Sequence, residues 1–133
     1  MILKQTSALR VLGGALLVLL LALWSPVMAH EGENGPHGGP MLEVSDHHLE
    51  LTAGAGELTL YLMDAAHAPV SSKGASGRVV VLDGSKQSSL TLEARDPDKL
   101  TAKLEAPLGP GARVVVTAKL ADGRSLVGRF VWK

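Results

Sequence analysis

Two alternations of polar and apolar residues, HHLELT at 47–52 and ELTLYLM at 57–63, flank the small residues AGAG at 53–56. Because successive side chains of a strand point to opposite faces, the leucines of each run would share one face of a hairpin. A pairing shifted by one residue would mix the two faces, so we expect a register that matches leucine with leucine. That register leaves His48 on the polar face, opposite Tyr61 or Met63.

The chain beyond this hairpin repeats the pattern of short apolar runs separated by Gly, Pro and Asp. Asp83-Gly84 and Asp122-Gly123 are dipeptides favoured in tight hairpin turns, and no apolar stripe of helical spacing interrupts the series. The sequence therefore predicts an all-β fold, a small antiparallel immunoglobulin-like β-sandwich of seven or eight strands. The candidate strands are Met41–Val44, His47–Thr52, Glu57–Met63, Gly77–Leu82, Ser88–Ala94, Lys99–Glu105, Arg113–Leu120 and Ser125–Trp132.

The first 29 residues have the pattern of a cleavable export signal. Lys4 and Arg10 precede an apolar run, and Val27 and Ala29 occupy positions −3 and −1 of a cleavage site. The apolar run at 11–23 is shorter than the roughly 20 residues that a helix needs to cross a bilayer. We therefore predict a signal peptide over 1–29, cleavage after Ala29, a periplasmic or secreted protein, and no stable membrane anchor after cleavage.

Residues 30–40 read HEGENGPHGGP, with four glycines and two prolines. This composition predicts a flexible arm, followed by the β-sandwich domain over 41–133. The chain has 13 Lys and Arg against 13 Asp and Glu, and loss of the signal would make it slightly acidic. A protein without a basic surface is not expected to bind nucleic acid. The chain has no cysteine, so disulfides and thiolate metal sites are excluded.

Histidine is the concentrated chemical signal of the chain, which has five, four of them between positions 30 and 48. Imidazole is a common ligand of copper and zinc. Cleavage after Ala29 would make His30 the first residue, and its α-amine and imidazole could together chelate a metal ion. His37, on the glycine-rich arm, could fold back toward the polar face that carries His48.

The remaining candidate donors have competing structural roles. His47 and His48 point to opposite faces, and His47 is expected to pack at the edge of the core. Met63 offers a thioether suited to Cu(I), or it packs at the end of its strand. His67 lies in a loop among alanines and is given no ligand role. The candidate metal ligands are therefore His30, His37 and His48, with His47 and Met63 beside them.

Two resemblances follow from these residues. His37-Gly38-Gly39, the run 48–51 and the later Asp64 and Pro69-Val70 resemble a class of small exported proteins found with heavy-metal efflux systems. That resemblance implies a periplasmic β-sandwich that buffers a metal or delivers it to an efflux complex. The terminal His30 and the closing stretch 121–131 are similar to the CopC family of periplasmic copper-binding sandwiches, in which an N-terminal histidine chelates copper. Arg124 stands where such proteins often carry another histidine, so the resemblance carries over His30 alone.

Two functions remain open from the sequence. One is a periplasmic protein that binds copper or zinc for resistance, buffering or delivery. The other is a metal-independent interaction module of a cell-envelope complex, docking by strand addition or through a loop. No nucleophile elbow, phosphate-binding glycine loop or His-Glu-x-x-His motif is present, so we do not expect an enzyme.

Overall fold

The computed structural model of the protein describes residues 33–133. The predicted signal peptide and His30 lie outside the described residues. All eight predicted strands are present, and their ends move by at most two residues. The strands are β1 (Met41–Val44), β2 (His47–Gly54), β3 (Glu57–Asp64), β4 (Ser76–Asp83), β5 (Lys86–Arg95), β6 (Lys99–Lys103), β7 (Arg113–Lys119) and β8 (Ser125–Val131).

The eight strands form one antiparallel sheet in the order β1-β2-β3-β6-β5-β4-β7-β8. The sheet curls so that its two end strands, β1 and β8, contact each other. Gly128 of β8 marks this close approach, because a Cβ atom there would lie 3.3 Å from Leu49 and 3.5 Å from Leu42. The prediction of an all-β antiparallel sandwich is thus confirmed, with every strand hydrogen-bonded into a single curled sheet.

The leucines of β2 and β3 form the centre of the core. Leu49 pairs with Leu62 and Leu51 with Leu60, as the leucine-matching register requires. All four side chains are completely buried, and complete burial of one leucine stabilises a fold by about 1.5–3 kcal/mol. The predicted inward residues of the last strand, Leu126 and Phe130, join the same cluster.

We call the face of the sheet turned away from this core its outer face. Two parts of the sheet differ in the burial of their outer-face side chains. Along β8 buried and exposed residues alternate strictly, and β7 nearly does the same. Along β2 and β3 the alternation fails, since Glu50, Thr59 and Met63 of the outer face are also buried. We call β2–β3 the covered part and β7–β8 the bare part.

Two short segments cover the outer face of β2–β3. The first is the N-terminal turn, defined as Asn34–Pro40, and the second is the Asp64 loop, defined as Asp64–Pro69. The sequence predicts an unconstrained arm over 30–40, whereas residues 34 and 40 form a bridge and the Gly35 amide donates to the Gly39 carbonyl at 2.8 Å. The Pro40 carbonyl accepts the Leu51 amide at 3.0 Å, which ties the turn to β2.

No helix among residues 33–133 is long and apolar enough to cross a membrane.

Candidate metal centre

Glu50 holds the N-terminal turn against the sheet. Its side chain is completely buried, and its Oε1 accepts the backbone amides of His37 at 2.8 Å and Gly39 at 3.0 Å. Its Oε2 lies 2.6 Å from Nδ1 of the His37 ring. A buried carboxylate is unfavourable unless hydrogen bonds replace its hydration. Three donors from the turn supply that replacement, so the carboxylate and the turn depend on each other.

The glycines of the turn allow this close approach. A Cβ atom on Gly35 would overlap the Glu50 carboxylate, and one on Gly39 would overlap the Leu51 carbonyl oxygen. Gly38 has a φ of +84°, a conformation that glycine adopts without the steric cost of a side chain. The glycines of the turn, whose number predicts flexibility, therefore let its backbone come within hydrogen-bonding distance of the buried Glu50 carboxylate.

The His37 ring is fixed on two sides. It stacks on Tyr61 with 3.6 Å between ring centroids and 3° between ring planes. Tyr61 is the partner of Glu50 across β2 and β3, so one strand pair supplies both contacts. Because the Glu50 carboxylate accepts at Nδ1, the neutral ring carries its hydrogen there and presents a lone pair at Nε2. The His37 side chain remains 40% exposed.

His48 lies on the same outer face, two residues before Glu50 on β2, and its partner on β3 is Met63. The prediction of Tyr61 or Met63 as its opposite residue is thus resolved in favour of Met63. Nδ1 of His48 lies 2.9 Å from the Asp64 carbonyl oxygen. A carbonyl can only accept, so Nδ1 is the donor and Nε2 of the neutral ring again carries the lone pair.

The Asp64 loop brings a third imidazole to this face. Oδ1 of Asp64 accepts the amides of Ala66 and Ala68, each at 2.9 Å. This loop places the His67 ring against the His48 ring, with 4.0 Å between centroids and 27° between planes. His67 has a φ of +63°, a left-handed conformation that histidine, like asparagine and aspartate, adopts more often than most residues other than glycine.

The thioether of Met63 belongs to the outer face as well. Met63 is 2% exposed, yet it stands outside the core cluster of buried apolar residues. Beyond β3 the chain runs back beside this residue in the plane of the sheet, as the bridge between Met63 and Pro69 shows. Its cross-strand partner is His48, and paired side chains on one face have Cβ atoms about 4.5–5.5 Å apart.

His47 is placed apart from these groups. It points to the inner face of β2, is 8% exposed, and its Nδ1 lies 2.9 Å from the Ser45 carbonyl oxygen. The turn between β7 and β8 contains Asp122, whose pKa is lowered from its usual value. The Arg124 backbone amide is the main cause of that lowering, followed by the Arg124 side chain, with His47 contributing least.

Among the candidate ligands, the structure brings His37, His48 and Met63 to one face and puts His47 on the other, while His30 lies outside the described residues. Within residues 33–133, no three His, Cys, Asp or Glu side chains come together closely enough to hold a metal ion. The donors that do gather are imidazoles beside a thioether, with the Glu50 carboxylate behind His37.

Sequence reasoning missed two of these residues. The alternation of β2 puts Glu50 on the same polar face as His48 and by itself gives it no role, although a glutamate between two leucines in sequence is a signal for a buried partner. His67 was set aside because alanines surround it. Its signal was the spacing from Asp64, since an aspartate at the start of a tight loop often accepts the amides that follow.

Comparison of the chain with protein-family models, with curated proteins and with solved structures finds no match.

Proposed function

We propose that this protein is an exported, non-catalytic binder of a transition-metal ion, copper or zinc, that serves metal resistance, buffering or delivery to an efflux complex. The observation that carries the proposal is the shared state of His37 and His48. Each ring has its Nδ1 fixed by an oxygen acceptor, Glu50 or the Asp64 carbonyl, and each presents its Nε2. This is the arrangement in which metal-ligating histidines are usually held, including the carboxylate–histidine pair.

The positions of the two rings support a common region of binding. Glu50 and His48 are two residues apart on one face of β2, a separation of roughly 7 Å along the strand. Both rings are held by the fold before any ligand arrives, so less side-chain freedom is lost when a metal binds. The predicted N-terminal amine and imidazole of His30 would complete the ligand set after cleavage.

Acidic solution is expected to weaken the proposed binding. Imidazole must be neutral to donate its lone pair, so protons compete with the metal for the same nitrogen atoms. The exported protein would therefore hold its metal least firmly at low pH. The sandwich-like sheet itself is expected to fold without metal, because its core is built from leucine and valine side chains.

The decisive experiment is a calorimetric titration of the exported, chelator-stripped protein with Cu(II) and Zn(II). We expect His37→Ala, His48→Ala and His30→Ala each to weaken binding by about tenfold or more. His47→Ala is the matched control, because it removes the neighbouring histidine of the same strand from the opposite face. An intact-mass spectrum of the same material reports the cleavage site and the number of ions bound. Unchanged affinity in the His37 and His48 variants would refute the proposal.

One observation favours the alternative, a metal-independent interaction module. β5 spans 86–95, but its pairing with β6 covers only Glu93–Arg95. Within the described part of the chain, that leaves one side of β5 without a strand partner over residues 86–92. Open strand edges can accept an added strand from another protein. This function predicts that a cell-envelope partner is recovered by crosslinking in excess chelator. Ser89→Pro or Thr91→Pro should abolish the recovery, because proline has no backbone amide to pair with an added strand.

A further inference from the structure

The contact between His48 and His67 is not used by the ligand set inferred from the sequence. We propose that His48, His67 and Met63 form a binding site for cuprous ion, Cu(I), on the outer face of β2–β3. This inference rests on the proposed function and narrows it, because it names the metal, its oxidation state and two ligands beside His48, namely His67 and Met63. The donors would be one nitrogen from each imidazole and the thioether sulfur.

The chemistry of the three donors favours Cu(I). Thioether sulfur is a soft ligand that selects Cu(I) over harder divalent ions, and imidazole serves both. Cu(I) is also satisfied by few ligands, so two nitrogens and one sulfur can complete its coordination. The chain has no cysteine, and methionine is therefore its only side-chain source of sulfur.

One peptide unit positions both histidines. The Asp64 carbonyl oxygen accepts Nδ1–H of His48 at 2.9 Å and the backbone amide of His67 at 3.0 Å. Asp64 also closes the loop with its own amide, which donates to the Ala68 carbonyl at 2.8 Å. The two rings are thus placed relative to the same group, on the face of the sheet that carries Met63.

The backbone at His67 supports a role for its side chain. A φ of +63° places this residue in the left-handed region, which is sterically unfavourable for a residue with a side chain and favourable for glycine. Such sparsely populated conformations concentrate at functional sites. This conformation is compatible with a functional role of the imidazole, and Ser45, Asp46 and Ala55 adopt it in other turns.

Binding requires one side-chain movement. In the structure the two rings are stacked, so their in-plane lone pairs run side by side and do not converge on one atom. His48 is held by the Asp64 carbonyl, whereas the His67 side chain is exposed. Rotation of His67 about its side-chain bonds would open the stack and let Cu(I) reach the buried Met63 sulfur.

The neighbours of His48 provide a discriminating test. Across β1 its partner is Glu43, and across β3 its partner is Met63. A carboxylate is a hard ligand suited to Zn(II), whereas the thioether is suited to Cu(I). A metal ion at His48 that depends on Met63 is therefore expected to be Cu(I), whereas one that depends on Glu43 is expected to be Zn(II).

The experiment measures Cu(I) affinity by anaerobic competition with a chromophoric chelator, and Zn(II) affinity by calorimetry, on the exported protein. We expect Met63→Leu to weaken Cu(I) binding by about tenfold or more and to leave Zn(II) binding unchanged. Glu43→Gln is the matched control and should leave Cu(I) binding unchanged. X-ray absorption at the copper edge should show a sulfur ligand in the wild type and none in Met63→Leu.

His67→Gly separates the loss of a copper ligand from an effect on folding. Glycine accepts the observed φ, which offsets its greater freedom in the unfolded chain. The unfolding temperature of this variant should therefore stay close to that of the wild type, while its Cu(I) affinity drops. Equal Cu(I) affinity in Met63→Leu and wild type, or a copper edge without sulfur, would overturn the inference. If Zn(II) binding still depends on His37 and His48 in that case, the proposed function survives. If neither Cu(I) nor Zn(II) nor Cu(II) binds, both the inference and the proposed function fail.

Discussion

The covered part of the sheet, β2–β3, and the bare part, β7–β8, are built on the same inner core but differ on their outer faces. In the bare part the outer residues of β8, such as Val127 and Arg129, are exposed. In the covered part the outer residues Glu50 and Met63 are 0% and 2% exposed. A strand that is buried on both faces therefore indicates a second layer of chain over its outer face. Here the N-terminal turn and the Asp64 loop form that layer, and the imidazoles lie in it.

The largest difference in stability between the covered and the bare part is expected when Glu50 is replaced. Glu50→Ala leaves the His37 and Gly39 amides without their acceptor, and we expect a loss of about 2–3 kcal/mol in the free energy of unfolding. The matched change in the bare part is Arg129→Ala, which alters an exposed outer residue and should stay within about 0.5 kcal/mol. Urea denaturation of both variants measures the difference. Similar small losses in the two variants would mean that the outer layer contributes nothing to stability.

A glycine substitution tests the packing of the N-terminal turn on the covered part without removing a charged group. Gly39→Ala places a Cβ atom against the Leu51 carbonyl oxygen, so the turn must move off the sheet, at a cost of about 1–3 kcal/mol. Gly54→Ala is the control, because a Cβ atom there meets nothing within 4 Å.

Hydrogen exchange of the turn is the measurement for this pair. We expect the Gly35 and Gly39 amides, both hydrogen-bonded in the structure, to lose protection in Gly39→Ala and to keep it in Gly54→Ala. Retained protection in Gly39→Ala would show that the turn tolerates the extra atom and is less closely packed than described.

The smallest expected effect lies in the bare part, at the exposed pair Asp122 and Arg124. Hydrogen bonds from the Arg124 amide and side chain lower the pKa of Asp122. A carboxyl group with a lowered folded pKa stabilises the fold above its unfolded pKa, and this contribution is lost as pH falls through the folded value. Asp122→Asn should remove that part of the pH dependence of the free energy of unfolding. Urea denaturation at several values between about pH 5 and pH 2 measures it. An unchanged acid dependence would show that the pair adds no measurable stability.

The fold could be predicted because its determinants are periodic. The alternation at 47–52 and 57–63 fixes which residues face the core, and glycine and proline mark the turns between strands. The outer layer could not be predicted in the same way. Its residues lie in the glycine-rich segment before β1 and in the short loop after β3, where no period reports burial. A polar residue such as Glu50 shows its role only when the partners that neutralise it are known.

The candidate site was predicted in part for the same reason. The alternation of β2 separated His48 from His47, and leucine matching limited the partner of His48 to two residues. The anchoring of His37 and the orientation of His48 depend on hydrogen bonds between residues 13 and 16 positions apart in sequence. The Asp64 loop is itself local, but the contact of His67 with His48 depends on the pairing of distant strands. Local sequence patterns do not encode such pairings, so these features emerged only with the tertiary structure.

The stacking of His37 on Tyr61 has a practical consequence. Tyr61 is the only tyrosine of the chain, so its aromatic proton resonances form a single, unambiguous set in a nuclear magnetic resonance spectrum. Their ring-current shifts depend on the imidazole lying parallel at 3.6 Å. Departure of that imidazole, whether by undocking or by capture of an ion, would therefore be visible at one natural probe, without any label being introduced.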